Sequence, residues 1–195
     1  MAAPPEKTLK DLNGKWVMNK SLSDEYDRIL EMQGVPWWLR KAISFATVTL
    51  TINQYITTTD SLTHIDILQV ATGGVSSTNE NRTLDWVWRD HTDKIFGTLK
   101  GRSRWVKLGD VDDDAFLKEG WDDLEGDHVQ SYVENEEKGW TADQVWGFEE
   151  VDGERRYVRH VVVRKGEDWK QARLVYDYKG AAKKEEEVDE DLAYE

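Results

Sequence analysis

Residues 12–20 (LNGKWVMNK) are followed at once by residues 21–43 (SLSDEYDRILEMQGVPWWLRKAI), and this change of pattern decides the predicted fold. The first stretch alternates, with Trp16 and Met18 on one side, as in a β-strand. The second has apolar residues at helical spacing and contains both a glycine and a proline. A first strand is therefore predicted to lead into helical structure.

The helical stretch divides into two short helices. Ser23 is predicted to cap the first helix, whose apolar stripe includes Tyr26 and Ile29. Gly34 is a natural helix stop, and Pro36 suits the first position of a second helix. The sequence predicts a helix-turn-helix directly after the first strand.

From residue 48 onward the chain is rich in short alternating stretches separated by turn signals. Further strands are predicted at residues 48–59, 62–70, 81–90, 94–100, 102–108, 128–134, 142–150, 156–164 and 169–179. Consecutive strands at hairpin spacing form an antiparallel meander, and closure protects the edges of so large a sheet. The predicted fold is all-β: an up-and-down barrel of about nine or ten strands with a helix-turn-helix lid, able to hold one small ligand.

The domain organisation is predicted to be simple. Residues 11–180 form one domain, residues 1–10 are a flexible lead, and residues 181–195 are a disordered acidic tail. Residues 109–127 (GDVDDDAFLKEGWDDLEGD) form an acidic insertion between strands.

Composition excludes several classes of function. The chain has 195 residues, a net charge of -13, 10 Trp and no Cys. The negative charge disfavours nucleic acid and anionic membranes as partners, and the lack of Cys excludes disulfides and thiolate metal sites. No secretory or transmembrane segment and no cofactor or metal motif is apparent, so a cytoplasmic protein without cofactor or metal is expected. Protein partners are left open.

Parts of the sequence resemble the intracellular fatty-acid-binding proteins of the calycin superfamily, which also contains the lipocalins. The resemblance rests on LNGKW at residues 12–16 and DEYDRILEMQGVPWWLRKAI at residues 24–43, and it recurs in VWGF at residues 145–148 and YVRH at residues 157–160. It implies a calycin-like barrel that encloses a hydrophobic ligand such as a lipid or fatty acid.

The resemblance also implies arginines that grip a ligand carboxylate. The family's closing Arg-x-Tyr pair is altered here, because Arg173 is followed by Tyr176 at three residues' distance. In a regular strand these two side chains point to opposite faces, unless a bulge intervenes. The other family arginine corresponds to Arg159, and the resemblance favours the face that holds Tyr157 and Arg159 as the lumen face. A surface position of Arg159 is the alternative.

Alternation and aromatic content supply the other candidate ligand-binding residues. Aromatic walls suit apolar or conjugated ligands, although such stripes also occur in plain cores. The candidates are Gln144, Trp146, Phe148, Trp86 and Trp88, with Trp38 of the second predicted helix; Trp38 could instead be exposed as a contact at the portal.

Two functions from different classes are compatible with these residues. The first is binding of a lipid, fatty acid, or polyketide-like or terpenoid-like metabolite in the barrel. The second is cofactor-free cyclisation or isomerisation of a natural-product intermediate, in which the cavity holds the substrate in a reactive conformation and polar groups polarise a carbonyl. Candidate catalytic residues for the second are Arg159, Tyr157, Tyr176, His64 and Gln144.

Overall fold

The computed structural model describes residues 1–111 and 114–182, so the predicted acidic tail lies outside the described residues from position 183 on. Ten antiparallel strands form one sheet in the order β4-β3-β2-β1-β10-β9-β8-β7-β6-β5. The strands are β1 Gly14–Met18, β2 Val48–Ile56, β3 Thr63–Ala71, β4 Ser76–Thr83, β5 Arg89–Asp93, β6 Gly97–Val106, β7 His128–Asn135, β8 Trp140–Val151, β9 Glu154–Lys165 and β10 Asp168–Tyr178. The described helices are α1 Asp27–Met32, α2 Trp37–Phe45 and α3 Ala115–Lys118, with short 3₁₀ turns at Thr72–Gly74 and Leu108–Asp110.

The sheet curls into a nearly closed barrel, which confirms the predicted calycin-like fold. Strand β1 pairs with both β2 and β10, so that Trp16 lies opposite Leu50 on one side and Tyr178 on the other. The outer strands β4 and β5 do not pair with each other in the described sheet. The chain between them is held to β6, where the Trp86 amide donates to the Ser103 carbonyl at 2.8 Å.

Two of the predicted strand boundaries are wrong. The strand expected at residues 81–90 is the end of β4 and the start of β5, because Trp86 has a positive φ of 60° that breaks the extended chain. The strands expected at 94–100 and 102–108 are one strand, β6, in which Gly101 pairs with Val133 without a turn.

The lid helices start later than predicted. Helix α1 begins at Asp27, and the Ser23 hydroxyl instead accepts a hydrogen bond from the Val175 amide at 2.8 Å, which ties the lid to β10. Gly34 does end the first helix with a positive φ of 79°. Pro36 lies one residue before the second helix rather than within it.

The N-terminal segment closes the barrel end opposite the lid. The segment 1–10, predicted to be a flexible lead, packs there: Ala3 is buried and its amide donates to the Arg155 carbonyl at 2.7 Å. Leu12 is fully buried, and its amide donates to the Gln54 side chain at 2.9 Å. Hydrophobic burial here removes water from one end of the lumen.

The insertion between β6 and β7 packs against the outside of the barrel. Its Leu117 and Trp121 are buried with Val145, Val158 and Val162 of the outer faces of β8 and β9. Both faces of these two strands are therefore covered, which explains their nearly continuous hydrophobic sequence. No helix in the described part of the chain is long and apolar enough to cross a bilayer.

Candidate functional site

A cavity of about 440 Å³ lies inside the barrel beneath the lid helices. This volume is within the range of small-molecule sites, about 300–1,000 Å³. The apolar part of the wall lies under the lid and includes Ile29, Phe96, Trp140, Val161 and Leu174. The polar part includes Glu80, Arg82, Gln144, Arg159 and Tyr176. Further charged or titratable residues of the lining are Arg89, Asp90, His91, Asp93 and Arg102, so the cavity has both an apolar and a polar part.

Arg159 is the central residue of the polar region. It lies on the inner face of β9 and is only 5% exposed. Its Nε donates to the Tyr157 hydroxyl at 2.9 Å, and its guanidinium carbon lies 4.0 Å from the Trp146 ring centroid. Among the described residues, its terminal nitrogens have no hydrogen-bond partner and no carboxylate forms an ion pair with it.

No negatively charged group among the described residues contacts the Arg159 guanidinium directly. Burial raises the pKa of Tyr157 and Tyr176, so both phenols are neutral at ordinary pH. Burial by itself lowers the pKa of the Arg159 guanidinium, but its interactions with Tyr157, Tyr176 and Glu80 raise the pKa overall. A buried cation that lacks a close anionic partner is costly unless a ligand supplies an acceptor.

A second arginine, Arg82, lies near the first and is paired with a carboxylate, although its Nε is buried without a hydrogen-bond partner among the described residues. Arg82 of β4 donates to Glu80 at 2.6 Å and to the Ser131 hydroxyl at 2.5 Å. Although burial raises the pKa of the Glu80 carboxyl, Arg82 and Arg159 together hold it below its ordinary value. Glu80 is therefore ionised and neutralises Arg82 directly.

The structure brings together five of the predicted site residues. Arg159, Gln144 and Tyr176 line the cavity, Tyr157 bonds to Arg159, and Trp146 lies beneath the guanidinium. The Trp146 indole N–H donates to the Gln144 side-chain oxygen at 3.1 Å, which orients both groups.

Phe148 follows on the same face of β8 but lies deeper. Its ring packs against Trp16 and Tyr157, with centroids 6.3 Å and 5.9 Å away, in the core below the cavity. It supports the cavity floor and is not among the lining residues.

Arg173 and Tyr176 lie on opposite faces of β10. The register from Arg173 opposite His160 to Tyr176 opposite Tyr157 is unbroken, so no bulge reorients either side chain. Tyr176 lines the cavity, whereas Arg173 lies on the outer face, 3.5 Å from Glu149. Arg173 is therefore not in the cavity.

Trp86 and Trp88 also lie outside the cavity. Their rings stack on the Arg102 guanidinium at 4.1 Å and 4.4 Å. Arg102 lies opposite Tyr132 in the register of β6 and β7 and is among the residues that line the cavity, whereas neither Trp86 nor Trp88 is. The positive φ of Trp86 ends the extended conformation there. The alternation of side chains from Leu84 to Trp88, on which the lumen prediction depended, is therefore lost.

Trp38 and His64 complete the predicted set. Trp38 lies on α2 and is 59% exposed. His64 alternates with the buried Ile65, so it lies on the outer face of β3, where its Nε2 is 3.0 Å from Asp60. Neither side chain reaches the cavity.

The sequence interpretation missed most of the lining residues, among them Arg82, Tyr26 and Trp140. Arg82 lies on the inner face of β4, two residues before Leu84, so the alternation seen from Leu84 onward could have found it if it had been extended backward. Tyr26 was predicted only as part of a helix stripe. Trp140 continues the alternating face of β8 two residues before Ala142. In the described part of the chain, no group of three or more His, Cys, Asp or Glu residues could hold a metal ion.

The fold defined by these elements is that of the fatty-acid-binding proteins. The Schistosoma mansoni fatty acid binding protein in complex with arachidonic acid aligns with 89% of this chain and 100% of its own, with a TM-score of 0.56 and 15% identity. The REP1-NXSQ fatty acid transporter aligns with 88% of this chain and 98% of its own, with a TM-score of 0.53 and 18% identity. At these identities the likeness establishes the fold alone.

Sequence relatives identify the family within this fold. The probable pericyclase scpY of Mollisia scopiformis is 36% identical over 92% of this chain and 95% of its own length. The pericyclase pydY of an Acremonium species is 33% identical over 92% of this chain and 98% of its own length. No protein-family model matches the chain. The chain belongs to the family of these pericyclases.

Proposed function

We propose that this protein is a cofactor-independent pericyclase that cyclises a hydrophobic, carbonyl-bearing intermediate inside the barrel. The observation that carries the proposal is Arg159, a buried guanidinium whose terminal nitrogens have no hydrogen-bond partner among the described residues. Its position in an otherwise largely apolar cavity suits a ligand oxygen that carries partial negative charge.

The cavity can contribute in two ways. Its apolar wall holds a flexible chain in a folded conformation, which lowers the entropic cost of bringing the two reacting ends together. A hydrogen bond from Arg159 to a conjugated carbonyl stabilises the charge that develops on oxygen in the transition state. The bonds reorganise within one molecule, so the product is an isomer of the substrate and no proton, electron or leaving group is exchanged.

The surroundings of Arg159 support this role. Tyr157 fixes Nε and Trp146 supports one face of the guanidinium, so the terminal nitrogens are the groups left for a ligand. The Glu80 carboxylate is paired with Arg82 and forms no ion pair with Arg159 among the described residues. Preorganised donors of this kind need little rearrangement during the reaction.

Ligand carriage is the second candidate function. The fold likeness to fatty-acid-binding proteins favours it, and the same guanidinium could bind a carboxylate. A carrier would return its ligand chemically unchanged, whereas a pericyclase would return an isomer. The two proposals therefore differ in a measurable product.

The test uses the intermediate that accumulates when the gene is deleted in its source organism. Purified protein, without added cofactor or metal, is expected to convert this compound into an isomer of identical mass. Arg159→Met is expected to lower the rate by a factor on the order of a hundred, because one oxyanion donor is lost. Arg173→Met, which removes an arginine of the outer face, is the matched control and is expected to keep the wild-type rate.

Recovery of the accumulated compound unchanged would contradict the pericyclase proposal and leave carriage. A loss of rate in Arg173→Met equal to that in Arg159→Met would contradict the role given to Arg159.

A further inference from the structure

Two hydrogen-bond donors lie under the lid without a partner in the described part of the chain, and neither is needed for the chemistry at Arg159. The Trp140 side chain is only 2% exposed, and its indole N–H has no hydrogen-bond partner among the described residues. The Tyr26 hydroxyl, at the start of the lid, is also buried without a partner there. Both residues line the cavity.

Such orphan donors need an explanation. A buried donor without an acceptor costs about 1–3 kcal/mol relative to one that is bonded. Tyr26 and Trp140 pack in the same apolar cluster, with Ile29, Phe96 and Leu174 around them. The protein itself supplies no acceptor to either atom in the described residues. An acceptor brought by the ligand would satisfy them.

The Trp140 position on β8 is well separated from that of Arg159. Strand register places Arg159 opposite Trp146 on β8. Trp140 lies six residues from Trp146 along the same strand, which corresponds to roughly 20 Å at ~3.3 Å per residue. One carbonyl cannot contact both positions.

We infer that Tyr26 and Trp140 form a second polar contact of the cavity, which selects substrates with an oxygen acceptor at the end that lies under the lid. This inference rests on the proposed function, in which Arg159 holds the other end. The substrate class is then an elongated, mainly apolar molecule oxygenated at two distant positions. A simple fatty acid would leave the second contact unused.

The inference predicts a preference that can be measured without turnover. Calorimetric titrations compare a series of unsubstituted fatty acids with the ω-hydroxy acids of the same lengths. In a plain apolar pocket the added hydroxyl weakens binding, because it is desolvated without a partner. Here at least one chain length is expected to bind as tightly with the hydroxyl as without it, or more tightly.

Substitutions at Tyr26 and Trp140 test whether these two residues cause the preference for the ω-hydroxy acid. Tyr26→Phe and Trp140→Phe keep an aromatic ring and remove the donor. Each is expected to weaken the best ω-hydroxy acid about threefold to tenfold and leave the matching fatty acid within about twofold. Tyr55→Phe and Trp169→Phe, at exposed positions outside the cavity lining, are the matched controls and are expected to change neither affinity.

The outcomes separate the two proposals. If ω-hydroxy acids bind at least tenfold more weakly than fatty acids at every length, or if the substitutions weaken both acids equally, the second contact is refuted while ligand binding at Arg159 stands. If neither kind of acid binds, or if Arg159→Met leaves both affinities unchanged, the ligand contact at Arg159 on which the proposed function depends is refuted as well.

Discussion

At the scale of single residues, the orientation of Arg159 depends on Tyr157. The Tyr157 hydroxyl accepts the Nε hydrogen at 2.9 Å, and the ring is fully buried beside Trp16 and Tyr176. Tyr157 is a positioning residue in this account, because its bond to Nε directs the terminal nitrogens toward other partners. A guanidinium without this bond would sample several orientations.

Tyr157→Phe should therefore lower kcat about tenfold and change KM much less, because the hydrogen bond that is lost orients a group acting mainly in the transition state. Steady-state kinetics on the accumulated intermediate measure both constants. Tyr132→Phe, on the outer face of β7, is the control. A rise in KM with unchanged kcat would show that Tyr157 serves substrate binding instead.

A second prediction for a single residue concerns Tyr176 and the pH dependence of the free energy of unfolding. Burial raises its pKa in the folded protein above the ordinary value of 10.0. Above about pH 10 the unfolded chain loses this proton first, so the free energy of unfolding should fall as pH rises. Urea unfolding between about pH 8 and about pH 11 should show a steeper fall for the wild type than for Tyr176→Phe. Equal slopes would be inconsistent with a buried, neutral phenol.

At the scale of elements, the insertion is a structural part of the barrel wall. Trp121 stacks near His160 on the outer face of β9, with ring centroids 4.2 Å apart. The two nitrogens of His160 lie 2.6 Å from the Phe116 carbonyl and 2.5 Å from a Glu149 oxygen. These contacts join the insertion to β8 and β9 on the side opposite to Arg159.

Gly147 is the position on β8 where this packing is tightest. A Cβ added there would lie 2.3 Å from Cε3 of Trp121, so Gly147→Ala must displace the indole. Chemical unfolding should show a loss of about 1–3 kcal/mol from overpacking. Gly109→Ala, where no atom lies within 4 Å of the new Cβ, is the control. If Gly147→Ala is as stable as Gly109→Ala, the insertion does not pack on β8 as described.

At the scale of the whole molecule, much of the fold could be predicted because its signals are local. The strands of the last third are bounded by Asp152-Gly153 and Lys165-Gly166 turns, and β8, β9 and β10 occupy the predicted regions. The break at Trp86 was not predictable, because an alternating aromatic sequence is also compatible with a continuous strand. Strand β4, which begins with the polar run at Ser76, was missed in its first half because it lacks apolar alternation.

The site was predictable only in part. Alternation grouped Gln144, Trp146 and Phe148 correctly on one face, and the resemblance selected the inner face of β9. Sequence could not show that the outer face of β9 is equally buried, because the covering Trp121 is distant in sequence. It also could not show which arginine enters the lumen, because Arg159 and Arg173 both lie on strands with apolar residues on each alternating face.

The proposed function depends on a hydrogen bond between a ligand oxygen and the terminal nitrogens of Arg159. The most direct measurement is a crystal structure of the protein with its reaction product. We expect a product oxygen about 3 Å from a terminal nitrogen of Arg159, with the apolar part of the molecule beneath the lid. A product whose oxygens all lie away from Arg159, or that binds on the outer face near Arg173, would contradict it.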